Sequence, residues 1–426
     1  MSLDLFNILY NVKTLWKFTA NDFGFEIISK ISYFCATETV SSVFKDRPKL
    51  QNYFTLRSDM MELNELERVE DNSVFGQIAD LGHEQVVFCN DEATGLKAII
   101  GIHNTVLGPA VGGTRMWNYS SDQEAITDVL RLSRGMTYKA AITGLNLGGG
   151  KAVILGDAST MKTEAFLRRF GKFIDSLGGK YWTAEDVNMK TRDMKYIGME
   201  TKYVTGLPEN MGGGGDPSPV TAYGTYLGMK ATAKKVYGSD SLEGKKIGVQ
   251  GVGQVGMYLV ERLTKEGANV FITDIAEDKL KAVASRTGAS VLGMDDIYDL
   301  DMDIYAPCAL GATLNDLTIP RLKCQIIAGA ANNQLAEEEK HGYMLMDKGI
   351  TYAPDFLINA GGLINVYEEY LGSYNRERTY ETAEKIYDTC LDILKVADEE
   401  SISSQEAAIR LAEKRIEDVG RIKLSR

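Results

Sequence analysis

Apolar residues between Ser121 and about Ala141 fall at Ala125, Val129, Leu132, Met136 and Ala140, spacings of three and four that predict an amphipathic helix. Ahead of it, E-Q-V-V-F-C-N-D and L-K-A-I-I-G-I-H-N-T read as strands separated by the turn-like D-E-A-T-G. Beyond it, Gly148-Gly149-Gly150 is expected to turn the chain tightly through positive φ, with Lys151 then opening the apolar strand A-V-I-L. Glycine recurs at 212–215 as an expected boundary and hinge, after which Ser218 and Pro219 signal a helix start. A helix to about Tyr237, the strand I-G-V-Q, a glycine turn, a helix to Glu266 and the strand N-V-F-I-T-D then form a βαβ alternation, which predicts a parallel sheet. Further strands are expected at D-I-Y-A-P-C-A and C-Q-I-I-A-G-A. The tail is helical, with Ser403 and Glu406 at capping-box spacing.

A chain of 426 residues exceeds one core of ordinary size, so two domains are expected. Its net charge of -12 argues against nucleic acid as a partner, because phosphate binding wants a basic face. No apolar run approaches the roughly 20 residues that span a bilayer, and no basic segment opens the chain, so neither membrane nor secretory signal is indicated. Five scattered cysteines without a C-x-x-C pair read as reduced thiols in the cytoplasm. The three histidines, His83, His103 and His341, stand apart in sequence and suggest no metal. Residues 1–60, aromatic-rich and without a legible motif, are read as an extension of uncertain status, with the main body of the protein starting near Met61.

Two features carry the chemistry. Lys139 and Lys151 flank the glycine run, and lysine is costly to bury because desolvation lowers its proton affinity. A helix end and a strand start could deliver both ammonium groups to one cavity, suited to an anionic small molecule and to proton transfer. Downstream, Gly251-Val252-Gly253-Gln254-Val255-Gly256 follows one strand and opens a helix, the context in which G-x-G-x-x-G holds pyrophosphate. Asp274 closes the next strand, where an acid accepts hydrogen bonds from ribose hydroxyls and repels a 2′-phosphate. The expected cofactor is NAD.

The runs G-P-A-V-G-G-T-R, G-M-T-Y-K, G-L-N-L-G-G-G-K, T-A-E-D-V, P-S-P-V-T-A-Y-G, A-G-A-A-N-N-Q and I-N-A-G-G-L-I-N-V, in this order, resemble the glutamate/leucine/phenylalanine/valine dehydrogenase family. The resemblance runs from about residue 75 to the C-terminus. It implies an α/β protein in which a Rossmann-type domain at 206–365 faces a catalytic and oligomerisation domain at 61–205 across a cleft, with helices of 366–426 packing back. It implies that Lys139, helped by Gly112 and Gly113, pairs with a substrate carboxylate, that Lys151 is the catalytic amine, and that Asp186 carries protons. Thr221 and Asn333 are implied to contact the nicotinamide. Glutamate-specific members carry a lysine where this chain has Val111; with Met136, Ala184, Leu363 and Val366 also apolar, the implied substrates are branched-chain L-amino acids, deaminated to 2-oxo acids and ammonium. Phenylalanine is the runner-up, and a binding protein that has lost catalysis is the alternative of another class. A homo-oligomer is implied by analogy. Two departures stand out: Asn188 replaces a usual glycine, and 211–215 is richer in glycine than expected.

Overall fold

The structure is a computed structural model that describes residues 73–424; the expected extension at 1–60 and a start near Met61 lie outside the described residues. The described residues from Val74 onward form one compact unit. Helix α1 (Val74–Leu81) leads to the hairpin of β1 (Gln85–Asp91) and β2 (Leu96–Asn104). Its turn is closed by the Asp91 carboxylate, which accepts from the Thr94 amide and hydroxyl, with Gly95 at φ 74°. Then follow β3 (Ala110–Trp117), α2 (Asp122–Ile142), β4 (Gly148–Leu155), α3 (Glu164–Ser176), β5 (Tyr181–Glu185) and α4 (Thr191–Gly198). The strands make one mixed sheet in the order β1-β2-β4-β3-β5. Ser121 caps α2 by accepting from the Glu124 amide, and the helix lays Ala125, Val129, Ser133, Thr137 and Ala140 on the sheet.

One expectation is corrected here. Gly148, Gly149 and Gly150 are not a tight turn but the first residues of β4, and the left-handed residue is Gly144, at φ 74° after the end of α2. The glycines answer to space. A Cβ on Gly149 would stand 2.2 Å from the Thr137 nitrogen, and one on Gly112 would stand 1.7 Å from the Gly150 oxygen. The run therefore lets α2 and β3 close directly onto β4, the close approach that a missing side chain permits.

The second sheet begins after α5 (Ser218–Tyr237), which has Pro219 in its first turn. It comprises β6 (Lys246–Gln250), β7 (Asn269–Thr273), β8 (Ser290–Val291), β9 (Ile304–Pro307), β10 (Ile326–Ile327) and β11 (Thr351–Tyr352). Helices α6 (Gln254–Lys265), α7 (Glu277–Thr287) and α8 (Glu338–Asp347) lie between strands. All pairings are parallel and the order is β11-β10-β9-β6-β7-β8. Chain direction across the sheet reverses between β6 and β9, the switch point at which doubly wound sheets bind ligands. The apolar centre of β6 is fully buried, as a strand covered on both faces requires.

The chain ends in α9 (Asp355–Ile358), α10 (Gly361–Tyr370), α11 (Arg376–Glu400) and α12 (Ser404–Leu424). Ser403 accepts from the Glu406 amide at 3.2 Å, as the capping spacing predicts. Helix α11 packs along α5, whereas α12 returns to α2. There Arg415 donates to the carbonyls of Ala141, Gly144 and Leu145 at 3.1, 3.0 and 2.8 Å, closing the helix end that carries Lys139. The connection from α4 to α5 is tied down by Glu369 of α10, whose carboxylate accepts from the amides of Gly206, Leu207 and Gly214.

Candidate functional site

The two lysines and the aspartate do converge. Lys151 is buried in β4 and its Nζ lies 2.7 Å from Asp186 Oδ2. Asp186 follows β5 directly and stands over Gly113, where a Cβ would come within 2.9 Å of its own. Burial opposes the charge on Asp186, but the neighbouring cations Lys151 and Arg115 outweigh it and hold its carboxyl below the ordinary value. Lys139 occupies the last turn of α2. Lys139 is half-buried, and the protein packed around its ammonium brings the pKa down to about 8; Asp355 opposes that shift and Lys151 adds to it.

Three residues absent from the sequence reading complete this cluster. Arg115 of β3 donates through Nε to Asp186 Oδ2 at 3.1 Å and through Nη1 to Asp128 Oδ2 at 3.0 Å. Asn332 accepts from Lys139 Nζ at 3.0 Å and from Asn359 Nδ2 at 2.8 Å. Asp355, buried, accepts from the Gln334 amide at 2.8 Å and is pushed by burial up to about 6. Arg115 was in plain view inside G-G-T-R, but nothing in the spacing pairs it with residue 186. Asn333, by contrast, is exposed in the left-handed region at φ 51°, its carbonyl accepting from the Ala312 amide. The carboxamide brought to Lys139 is that of its neighbour Asn332. Thr221 sits in the first turn of α5, its hydroxyl donating back to the Pro217 carbonyl at 3.0 Å.

Asn188 has a local explanation. It takes φ 62° and donates Nδ2 to the Met116 carbonyl at 3.0 Å. Asparagine tolerates the left-handed conformation better than other side-chain-bearing residues, so the loop that carries Asp186 keeps a shape otherwise given to glycine. Beside the polar cluster, Val111 and Leu363 are buried in one continuous apolar cluster against which Met136 and Val366 pack. Ala184 is buried on β5 opposite Gly113.

At the switch point, Gly251 turns the chain at φ 101° with Ala309 closely packed behind it. A Cβ on Gly256 would strike the Gly251 oxygen at 2.0 Å. Gly253 differs: its φ is -63° and nothing lies within 4 Å of a Cβ, so the protein itself gives no reason for glycine. A closely approaching pyrophosphate does give one, and with exposed Gln254 and half-buried Val255 at the start of α6 the turn fits that group. Asp274 bridges the turn to the next loop, accepting from the Val252 amide at 2.7 Å and the Ala276 amide at 2.8 Å.

The histidines are not isolated in space. His83 and His103 are buried edge to face at 4.8 Å, and burial first, then nearby positive charge, brings both pKa values down to about 4. Among the described residues, Asp316, Glu337 and His341 bring three potential metal ligands within 4.8 Å of one another. Lys340 Nζ already lies 2.6 Å from Asp316 and 3.2 Å from Glu337. His341 Nδ1 accepts from the Glu337 amide at 2.9 Å, which leaves the ring proton on Nε2, so this donor set does not suit a cation. No helix among the described residues is long and apolar enough to cross a membrane.

A mixed sheet and a doubly wound parallel sheet, with two lysines, an acid paired to one of them and a glycine turn at the switch point, define a class of nucleotide-binding dehydrogenases. Residues 83–203 match the model of the Glu/Leu/Phe/Val dehydrogenase dimerisation domain, and 212–274 and 271–421 match that of Glutamate/Leucine/Phenylalanine/Valine dehydrogenase. The chain belongs to this family and is an amino-acid dehydrogenase; members use a nicotinamide dinucleotide. It is 55% identical to the leucine dehydrogenase of Thermoactinomyces intermedius over 81% of this chain and 93% of that one. Identity to the Bacillus subtilis leucine dehydrogenase is 54% over 82% and 95%. Among solved structures, the L-tryptophan dehydrogenase of Nostoc punctiforme superposes with a TM-score of 0.72 at 46% identity, covering 82% of this chain and 99% of that one.

Proposed function

We propose that the protein catalyses the reversible NAD-dependent oxidative deamination of L-leucine and other branched-chain L-amino acids. Amino acid, water and NAD⁺ give the 2-oxo acid, ammonium, NADH and a proton. The observation that carries this reading is the 2.7 Å pair of Lys151 and Asp186, set beside Lys139 and next to an apolar wall. When bound, NAD accepts the hydride from Cα.

Lys139, a cation with reduced hydration, binds the α-carboxylate, with the backbone at Gly112 and Gly113 alongside. Asp186, held ionised, takes the proton from the substrate ammonium so that its lone pair can form the imine. Lys151 orients the water that adds to that imine and stabilises charge at the α-carbon. The turn at Gly251, Gly253 and Gly256 holds the pyrophosphate, and Asp274 keeps lone pairs for the ribose hydroxyls, which favours NAD over NADP. Thr221 and Asn333 would contact the nicotinamide end, and Asn332 steadies Lys139 from the neighbouring loop. Val111, Met136, Ala184, Leu363 and Val366 surround the aliphatic side chain. A glutamate side chain would leave an uncompensated carboxylate against Val111, at a cost of roughly several kcal/mol.

A homo-oligomer is part of the proposal, supported by the dimerisation-domain match and by exposed Phe75 and Phe88, the latter on edge strand β1. So is a cytoplasmic location, in keeping with the free thiols of Cys89, Cys308, Cys324 and Cys390. The test is a panel of L-amino acids assayed with NAD and NADP by absorbance of the reduced cofactor. Leucine, isoleucine and valine are expected to lead; higher kcat/KM for phenylalanine or glutamate would overturn the substrate assignment.

A further inference from the structure

We propose that Arg115 is a positioning residue for the reaction: braced by Asp128, it anchors one oxygen of Asp186 so that this carboxylate stays in place while Lys151 changes partners. The proposal rests on the reading of Asp186 as the proton carrier.

The loop bearing Asp186 is moulded on β3. The Met116 amide donates to the Val187 carbonyl at 3.1 Å, and the Met116 carbonyl accepts from Asn188 Nδ2 at 3.0 Å. Gly113 leaves room for Asp186 itself. Arg115 lies on the same strand and fixes the carboxylate as its neighbours fix the backbone. Its guanidinium is held at two ends, Nε on Asp186 and Nη1 on Asp128, and Asp128 is in turn steadied by the Tyr119 hydroxyl at 2.6 Å. A planar fork clamped between two carboxylates has its direction set before any substrate arrives.

Both cations meet Asp186 at the same atom, Oδ2: Lys151 at 2.7 Å and Arg115 at 3.1 Å. That sharing is the functional point. During turnover Lys151 must turn its ammonium toward substrate and water, and an acid tethered by Lys151 alone would follow it or swing free. Arg115 makes no such move and keeps the tether. With Oδ2 committed to cations, Oδ1 becomes the better proton acceptor. The set of Lys151, Arg115, Asp186 and Asp128 also balances two positive and two negative charges, which lets it persist half-buried.

The pH dependence of the step can be followed because the facing groups are known. Asp186 is met by Lys151 from β4, Arg115 from β3, Lys139 from α2 and Tyr181 from β5, with Asp128 and Tyr119 acting through Arg115. Removing the guanidinium takes away a cation that favours the ionised carboxylate, so the acid limb of kcat/KM must move upward.

The experiment compares the full-length R115M, R115K, D128N and D186N proteins with wild type for leucine kinetics across pH, NAD binding and thermal midpoint. R115M is expected to lower kcat about tenfold to a hundredfold, with a smaller change in KM, and to raise the acid limb by about one pH unit. R115K, which keeps charge but not the fork, restores the acid limb more than kcat; it carries the test if R115M does not fold. D128N shows a weaker kcat loss. An inactive D186N together with an unmoved acid limb in R115M and R115K overturns the role of Arg115 alone. A D186N protein with wild-type turnover overturns the reading of Asp186 and this proposal with it.

Discussion

Lys139 and Asn332, 193 positions apart, are joined by a 3.0 Å hydrogen bond from ammonium to carboxamide oxygen. The bond links the end of α2, under the mixed sheet, to the loop that follows β10 of the parallel sheet. It gives the proposed carboxylate-binding cation an anchor beyond its own sheet, and Asn359 Nδ2 donates to the same oxygen at 2.8 Å.

Because burial brings Lys139 down to about 8, the binding of an amine-free branched-chain carboxylate as an inhibitor should weaken above about pH 8, up to tenfold per unit. K139R should carry tight binding to higher pH, since the guanidinium keeps its charge. K139A should raise the inhibition constant roughly tenfold to a hundredfold at neutral pH. Inhibition constants measured across pH check this, and a flat profile in wild type would remove Lys139 from carboxylate binding.

Lys151→Ala should abolish turnover while NAD still binds, because the residue lies in the mixed sheet and the glycine turn in the other. Stopped turnover and cofactor titration of the same preparation decide it. Wild-type-like kcat would exclude this amine from the mechanism.

Val111→Lys places a cation inside a buried apolar cluster. Leucine kcat/KM should fall by at least about tenfold, and the ratio of glutamate to leucine turnover should rise. Unchanged leucine kinetics would put residue 111 outside the pocket.

Asp274→Ser removes the acceptor of the Val252 and Ala276 amides as well as the proposed ribose contact. NAD KM should rise and the preference over NADP should narrow, since the repulsion of a 2′-phosphate disappears. Parallel kinetics with both cofactors test this; a raised KM with an unchanged ratio would leave Asp274 a purely structural strut.

His83 and His103 bind protons less well in the fold, near 4, than in the unfolded chain, near the ordinary 6.5. Their contribution to stability is therefore whole above about pH 6.5 and is lost as pH falls toward 4. The thermal midpoint should drop over that interval and drop less in His103→Gln, whose amide can still bond Thr137. An equal slope in both proteins would assign the acid sensitivity to carboxylates.

The sequence made α2, the first hairpin and the βαβ unit legible because each shows its own period, three to four for the helix and short apolar runs for the strands. It also grouped Lys139, Lys151 and Asp186 through motif resemblance. Strand β3 was not legible as a strand: two glycines and a threonine interrupt its apolar pattern, and only β4 and β5 on either side make it one. The Gly148–Gly150 run is ambiguous in sequence for a related reason. Glycine signals either a left-handed turn or a close approach, and the choice depends on what lies opposite, here Thr137 and Gly112. Arg115, Asn332 and Asp355 carry no local sequence signal because their partners lie 71, 193 and 21 positions away, beyond any spacing rule.

The tie between Glu369 and the connecting loop has a bearing on selectivity. Leu363 and Val366 ride on the same helix as Glu369, whereas Val111 and Ala184 belong to strands of the mixed sheet, so the proposed aliphatic box draws its sides from a helix and a sheet that meet beside one tied loop. A bulky side chain seated there would press on both the helix and the sheet, and so help to fix the substrate's Cα in place. Short substrates such as alanine should consequently suffer in kcat and not in KM alone.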